Sequence, residues 1–313
     1  MQWQTGLAEE HTEAAVALWN EALGDRFPLR PRLWRQNTIG SAFLAPGAAV
    51  RAYDGNSLIG LSCATIGPTG IGSVAAVVVH PAWQRQGLGS ELLARAEASL
   101  SAVGVTQVNA GAGWDHFFPG PPVGGALDFF AAQGYELGSW EYDVARDLAG
   151  FVLPAAAAAL AAAGVVGPVR SGEVPAVRRF LAREFPGRWA AQADVVMAAA
   201  PGDVVVARDG GEVVGFAVTY RSAGPVIGPS VYWAPALGDP AGGLGPIGVA
   251  ASHRGRGLGL ALLAVGVDHV RGSGARHMAI DWTTLLDFYA RLGFSPWRTY
   301  RRATRRPGAP NGR

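Results

Sequence analysis

Two short stretches hold the residue types and spacing from which this chain could build chemistry. Gln84, Arg85, Gln86, Gly87, Leu88, Gly89, Ser90 and Arg254, Gly255, Arg256, Gly257, Leu258, Gly259, Leu260 follow one pattern. A long hydrogen-bonding side chain is followed by two residues, a glycine, one residue and a second glycine, and then an apolar run begins. Each stretch comes after a short apolar segment, so the pattern predicts a strand entering a helix through a turn bare of Cβ atoms. The first-turn N–H groups of such a helix have no intrahelical acceptor and lie at the positive end of its dipole. They suit a phosphate or another anion. Two other nucleotide loops fail on composition. A Gly-Lys-Ser/Thr phosphate loop needs lysine, and the chain has none. A dinucleotide fingerprint needs a third glycine three residues further on, where Leu92 and Leu262 stand.

The elements that must position these turns are themselves duplicated. "AYDGNSLIGLSCA" (52–64) and "ARDGGEVVGFAV" (207–218) each read as strand, tight turn and strand, with Asp54-Gly55 and Asp209-Gly210 at the turns and Gly215 answering Gly60. An apolar strand then leads into each glycine turn and its helix, on which Leu88, Leu92, Leu93 and Ala96 share a face. Another strand follows ("TQVNAGAG"; "ARHMAIDW"), then a helix ending in glycine and an aromatic residue ("LDFFAAQGYE"; "LDFYARLGFS"). Phe27-Pro28 and Phe185-Pro186 stand near an early helix in each half. The copies differ by insertions rich in aromatic residues, Pro and Gly ("WDHFFPGPPVGG"; "VYWAPALGDPAGG"), which read as lids or substrate walls, or as decorative surface loops. The fold class is α+β: two tandem domains of one fold, 1–150 and 151–313.

Composition narrows the partners. The chain has 313 residues, 49% hydrophobic and 16% charged, with a net charge of +2, which fits a packed globular protein and no nucleic-acid partner. Cys63, the single cysteine, reads as a small buried hydrophobe in a strand, and a reducing compartment suits it. The six histidines show no metal-ligand spacing, so no metal is expected. The first residues lack a basic, apolar leader pattern, which points to the cytoplasm. The uncharged run 151–169 is long enough to span a bilayer, but Pro154, Gly164, Gly167 and Pro168 interrupt it. A connector with one short Ala-rich helix is expected there, and no membrane partner. The arginine-rich "RTYRRATRR" (298–306) is expected as a solvated edge strand and a frayed tail. The assembly is expected to be a monomer or homodimer.

The combination of Arg/Gln-x-x-Gly-x-Gly after an apolar strand with a later helix ending Tyr/Phe-x-x-x-Gly-Phe/Tyr resembles the GNAT superfamily of N-acetyltransferases. The resemblance runs over nearly the whole chain as a tandem pair, a layout similar to that of the mycothiol synthases. It implies mixed, mostly antiparallel sheets flanked by helices, and acetyl-coenzyme A as cofactor. It places the pyrophosphate on the N–H groups from Arg85 to Ser90 and from Gly255 to Leu260. The pantetheine arm would pair with Val77, Val78 and Val79, or with Ile247, Gly248 and Val249. Gln84 and Arg254 take the first motif position, where only Arg254 adds charge.

The family's usual proton donor to the leaving thiolate is a tyrosine in the last helix, and Tyr289 falls on that position. Its counterpart is Phe130, which cannot donate a proton. The resemblance therefore implies a catalytic second domain and a degenerate first one. A base for the attacking amine is sought among His80, His253, Asp115, His116 and Asp281. Alternation in "HMAIDW" puts His277 and Asp281 on one face, opposite Met278 and Ile280, and Asp281 is the preferred base. The acceptor would be a primary amine of a small molecule or peptide. The alternative is a non-catalytic module that binds acyl-coenzyme A.

Overall fold

A computed structural model describes residues 1–306. In chain order the strands are β1 (Gln2–Thr5), β2 (Val50–Asp54), β3 (Ser57–Ile66), β4 (Gly72–Val79), β5 (Val108–Ala110), β6 (Glu136–Asp147), β7 (Val166–Pro168), β8 (Val204–Asp209), β9 (Glu212–Arg221), β10 (Ala241–Val249), β11 (His277–Thr283) and β12 (Ser295–Arg305). The helices are α1 (Thr12–Leu23), α2 (Pro31–Asn37), α3 (Leu88–Ala102), α4 (Gly125–Ala132), α5 (Ala155–Ala162), α6 (Val174–Glu184), α7 (Arg188–Ala199), α8 (Ala234–Leu237), α9 (Leu258–Gly272) and α10 (Leu286–Ala290).

The chain divides into two compact units, Met1–Tyr142 with the segment from Arg298 on, and Asp143–Trp297. This differs from the segments 1–150 and 151–313 in two ways. The division falls at Tyr142, and the last strand returns to the first unit.

In the first unit the strand order is β1-β2-β3-β4-β5-β12. Every pairing in it is antiparallel except β4 with β5. The second unit orders its strands β7-β8-β9-β10-β11, again with one parallel pair, β10 with β11. A parallel neighbour needs a crossover, and α3 and α9 supply it. Asp54 pairs with Ser57 and Asp209 with Glu212, so both hairpins close through two-residue loops at the expected places.

The same packing device holds each crossover helix to its sheet. A Cβ on Gly60 would lie 2.9 Å from Leu92 Cδ1, and one on Gly215 would lie 2.9 Å from Leu262 Cδ1. Close approach of helix and strand is thus provided by a glycine on the strand, which receives a leucine from the helix. This explains why leucine stands where a dinucleotide fold needs glycine.

The core of the first unit contains Trp19, Trp34, Phe27 and Phe117, each no more than 2% exposed. Burial of each such ring contributes about 1.5–3 kcal/mol. The first insertion is therefore packed into the core and is no surface decoration: Phe117 and Phe118 lie against Trp19, with centroids 5.0 and 5.7 Å away. Tyr232 and Trp233 of the second insertion are likewise buried.

The arginine-rich segment forms most of β12, a half-buried strand, which corrects the expectation of a solvated one. β12 pairs with β5 through Thr304 and Arg305, and Tyr300 and Ala303 are buried. Its arginines are engaged. Arg298 stacks on Phe27 at 4.4 Å, Arg301 on Trp140 at 4.8 Å, and Arg305 pairs with Glu97 at 2.9 Å. The tail beyond 306 lies outside the described residues. The apolar run 151–169 forms α5 and β7, and among the described residues no helix is long and apolar enough to cross a membrane.

Candidate functional site

The two glycine turns have nearly the same backbone. Gly87 and Gly257 hold φ of 86° and 78°, and Arg85 and Gly255 hold 62° and 78°. The left-handed region favours glycine, so a side chain at Gly87 or Gly257 would strain the turn. A Cβ at Gly87, Gly255 or Gly257 would meet no atom within 4 Å, so these glycines face open space. Gln84 and Arg254 act within the turn itself. Gln84 Nε2 donates to the Val79 carbonyl at 3.0 Å, and Arg254 Nε donates to the Val249 carbonyl at 3.2 Å. Each first-position side chain therefore clips the turn to the last residue of the strand before it. Arg256 pairs with Asp209 at 2.9 Å, and Ser90 accepts from Gln133 at 3.0 Å.

The strand ahead of each turn has one edge open. β4 pairs with β5 only from Gly72 to Val74, and β10 with β11 only from Ala241 to Gly243. Val77 to Val79 and Ile247 to Val249 retain their antiparallel neighbours, β3 and β9, while their other edge lies beyond the parallel pairing. An irregularity between Leu244 and Ile247 bends β10 where its parallel pairing has ended.

In the first unit this edge opens on a cleft of about 710 Å³, lined by Val77, Val78, Val79, Gln84, Arg85, Gly87, Gly89, Ser90 and Phe130 among others. In the second unit a cavity of about 380 Å³ lies at the turn, lined by Val249, Arg254, Gly255, Gly257, Leu258, Gly259, Leu260 and Phe288. Ile247 and Gly248 do not line it. The Phe185 ring lies close over Gly248, where a Cβ would come within 2.6 Å of it.

Register relates the remaining residues of the two units. Gly72 pairs with Val108 and Gly242 with Met278, so Gly111 corresponds to Asp281 and Ala112 to Trp282. Ala112 and Trp282 are both non-glycine residues with positive φ, at 57° and 46°. The first unit therefore lacks a carboxylate at the position of Asp281, just as Phe130 replaces Tyr289.

Asp281 is partly buried, and its carboxyl is raised to about 7. Burial is the main cause, the Asp143 carboxylate adds to it, and the Arg188 guanidinium opposes it. Asp143 Oδ1 accepts from the Trp282 N–H at 3.0 Å, and Arg188 lies over the Trp282 ring at 4.5 Å. Tyr289 is 5% exposed, and its hydroxyl is hydrogen-bonded to Thr283. Burial and the nearby Asp281 carboxylate raise its pKa, so the hydroxyl keeps its proton. Tyr220 is raised in the same way by burial, Asp281 and Tyr232. Asp281 and Tyr289 thus share one polar neighbourhood. Asp143 and Arg188 complete it, but they are distant in sequence and no motif announces them.

The histidines are placed differently. His80 lies 2.9 Å from Glu21, and its Nδ1 accepts from the Ala82 N–H. His253 lies 3.3 Å from Asp209. His116 is buried, and Asp115 accepts from the Ser41 hydroxyl at 2.6 Å. Among the described residues, no group of three or more His, Cys, Asp and Glu side chains could hold a metal ion.

The acetyltransferase (GNAT) family model matches residues 7–112 and 174–294, one match for each glycine turn. No curated relative matches the chain by sequence. Among solved structures, a GCN5-related glucosamine N-acetyltransferase region of a fungal multi-domain GH3 β-N-acetylglucosaminidase is similar, with a TM-score of 0.84 and 23% identity. That likeness covers 97% of this chain but only 38% of the fungal protein, so the chain spans well under half of its length. A GCN5-related N-acetyltransferase from Sphaerobacter thermophilus has a TM-score of 0.68 and 18% identity, covering 98% of this chain and 97% of its own. A tandem GNAT protein from the clavulanic acid biosynthesis pathway has a TM-score of 0.64 and 18% identity, covering 98% and 99%. These likenesses are of fold.

Proposed function

Because the chain belongs to the GNAT acetyltransferase family, which matches both of its halves, we propose that it transfers an acetyl group from acetyl-coenzyme A to a primary amine, with the second unit carrying the reaction. The observation that carries this reading is the asymmetry at two matched positions, Asp281 and Tyr289 in the second unit against Gly111 and Phe130 in the first.

The residues present fit the carrier. The left-handed glycines at 87, 255 and 257 face open space, and first-turn N–H groups suit a diphosphate. When bound, acetyl-coenzyme A supplies a thioester carbonyl open to attack by an amine. Gly255 to Leu260 would hold the diphosphate through their backbone, with Arg254 keeping the turn clipped to Val249. Ile247 to Val249 would offer a strand edge to the pantetheine amides.

Asp281 would take the proton of the attacking amine, directly or through one water. A carboxyl near 7 is half ionised at neutral pH, which suits that task. Tyr289 would donate its hydroxyl hydrogen to the departing sulfur, with Thr283 holding the hydroxyl. Arg188 and Asp143 would orient the loop around Trp282 and set the affinity of Asp281 for its proton.

The first unit supports a second role, holding an acyl-coenzyme A without turning it over, because it retains the turn and the cleft but neither ionisable group. The chain is proposed to act in the cytoplasm on a small-molecule or peptide amine.

A panel of amine acceptors, amino sugars first because of the fungal neighbour, followed by aminoglycosides, polyamines and peptide N-termini, tests the reading through thiol release from acetyl-coenzyme A. Acetylation of one class that is lost in Asp281→Asn supports the assignment. Binding of acetyl-coenzyme A with no transfer to any acceptor would favour the non-catalytic module.

A further inference from the structure

The cleft of the first unit does not end at the open strand edge. It continues into a smaller chamber of about 80 Å³, and the two share Leu23, Phe27, Val77 and Phe130. The chamber reaches Val74 and Ala110, which are partners where β4 pairs with β5. A molecule held at the turn and running along Val79 to Val77 would point its far end into it.

The side chains that line the chamber are almost all apolar. Trp19 is the one lining residue whose side chain carries a polar group, and its indole N–H donates to the Phe27 carbonyl at 2.7 Å. The same indole stacks on Phe118, which also lines the wall. No lining side chain is ionisable or carries a hydroxyl. An amine arriving here would meet no side-chain base, whereas methylene groups would leave water for a wall of mostly apolar side chains.

We infer that this chamber is an acyl-chain site: the first unit binds the acyl group of an acyl-coenzyme A there and favours a short apolar chain over acetyl. The inference rests on the reading that the turn at Gly87 takes coenzyme A. A water-sized group occupies about 10–15 Å³ of such space, so 80 Å³ admits a chain of about five to eight carbons and not a long fatty chain. In the second unit, Asp281 and Tyr289 replace Gly111 and Phe130. An apolar chain there would desolvate a carboxyl and a hydroxyl, so the preference belongs to the first unit alone.

The test is equilibrium binding of coenzyme A and its acetyl, butanoyl, hexanoyl and palmitoyl thioesters to the full chain, with no amine present. Affinity at one site should rise about fourfold per methylene from acetyl to hexanoyl, and palmitoyl should gain nothing further. Ala76→Leu, or the milder Ala76→Val, would fill the chamber at a residue that does not line the cleft. Either variant should abolish the rise and leave binding of free coenzyme A unchanged. Coenzyme A bound at the first unit with the same affinity whatever its acyl group would overturn the acyl-chain site alone. A rise that persists in both Ala76 variants would also overturn it. If free coenzyme A fails to bind the first unit at all, the cofactor reading of that unit falls, and the acyl-chain site falls with it.

Discussion

Ala112 and Trp282 hold the same place in the two units. Each lies four residues beyond the partner of a matched glycine, Gly72 or Gly242, and each keeps a left-handed backbone, with φ of 57° and 46°. That conformation costs a side-chain-bearing residue roughly 1–2 kcal/mol, yet it occurs in both units. The turn fixes the direction of the residue before it, which is Gly111 in one unit and Asp281 in the other. The scaffold that aims a carboxylate is thus present twice, and the carboxylate once.

The strain at Ala112 has a measurable consequence. Ala112→Gly should raise the stability of the chain by about 0.5–1 kcal/mol, because glycine adopts this φ without penalty and loses only some chain entropy. Urea unfolding followed by tryptophan fluorescence checks this. A loss of stability would show that the methyl group contributes more than the backbone costs.

Tyr289→Phe should lower turnover about 100-fold and leave acetyl-coenzyme A affinity within about twofold, since only the leaving-group step loses a donor. Phe130→Tyr should give the first unit no activity, because Gly111 still supplies no base. Steady-state kinetics and equilibrium binding on both variants check this. Unchanged turnover in Tyr289→Phe would remove the tyrosine from the chemistry.

Acid stability should depend on Glu173. Its carboxylate is gripped by Arg208 through two 2.7 Å bonds, chiefly for which reason its pKa falls to about 2. A depressed carboxyl stabilises the folded chain above its unfolded pKa of about 4.5, and the contribution fades as pH falls towards 2. Glu173→Gln should cost about 2–3 kcal/mol at neutral pH and flatten the decline between pH 4.5 and 2. Unfolding midpoints measured across that range give the answer.

Much of this was legible in the sequence because it was written twice. The glycine turns and both two-residue hairpin loops follow from local patterns that recur in register. The return of β12 to the first unit was not legible. Alternation in 298–306 fixes which residues share a face and says nothing about the neighbouring strand. The bonds from Gln84 and Arg254 to the Val79 and Val249 carbonyls were not legible either, because a long side chain on a turn does not announce that it reaches back to the chain's own backbone. Asp143 and Arg188 reach the Asp281 neighbourhood only through tertiary folding. The match of Asp281 with Gly111 needed the strand register, since the two stretches share little beyond their place in the repeat.

The most direct test of the central claim, that Asp281 is the base of a catalytic second unit, is the pH dependence of kcat/KM for acetylation. It should be measured with two amine acceptors of different basicity, in the parent chain and in Asp281→Asn. A carboxyl raised to about 7 must be ionised to accept a proton, so the rate should climb through pH 7 and level off above it, with the same midpoint for both amines. Asp281→Asn should lose that limb and at least 100-fold of the plateau. A midpoint that follows the amine's own basicity, together with an Asp281→Asn profile like the parent's, would contradict the account.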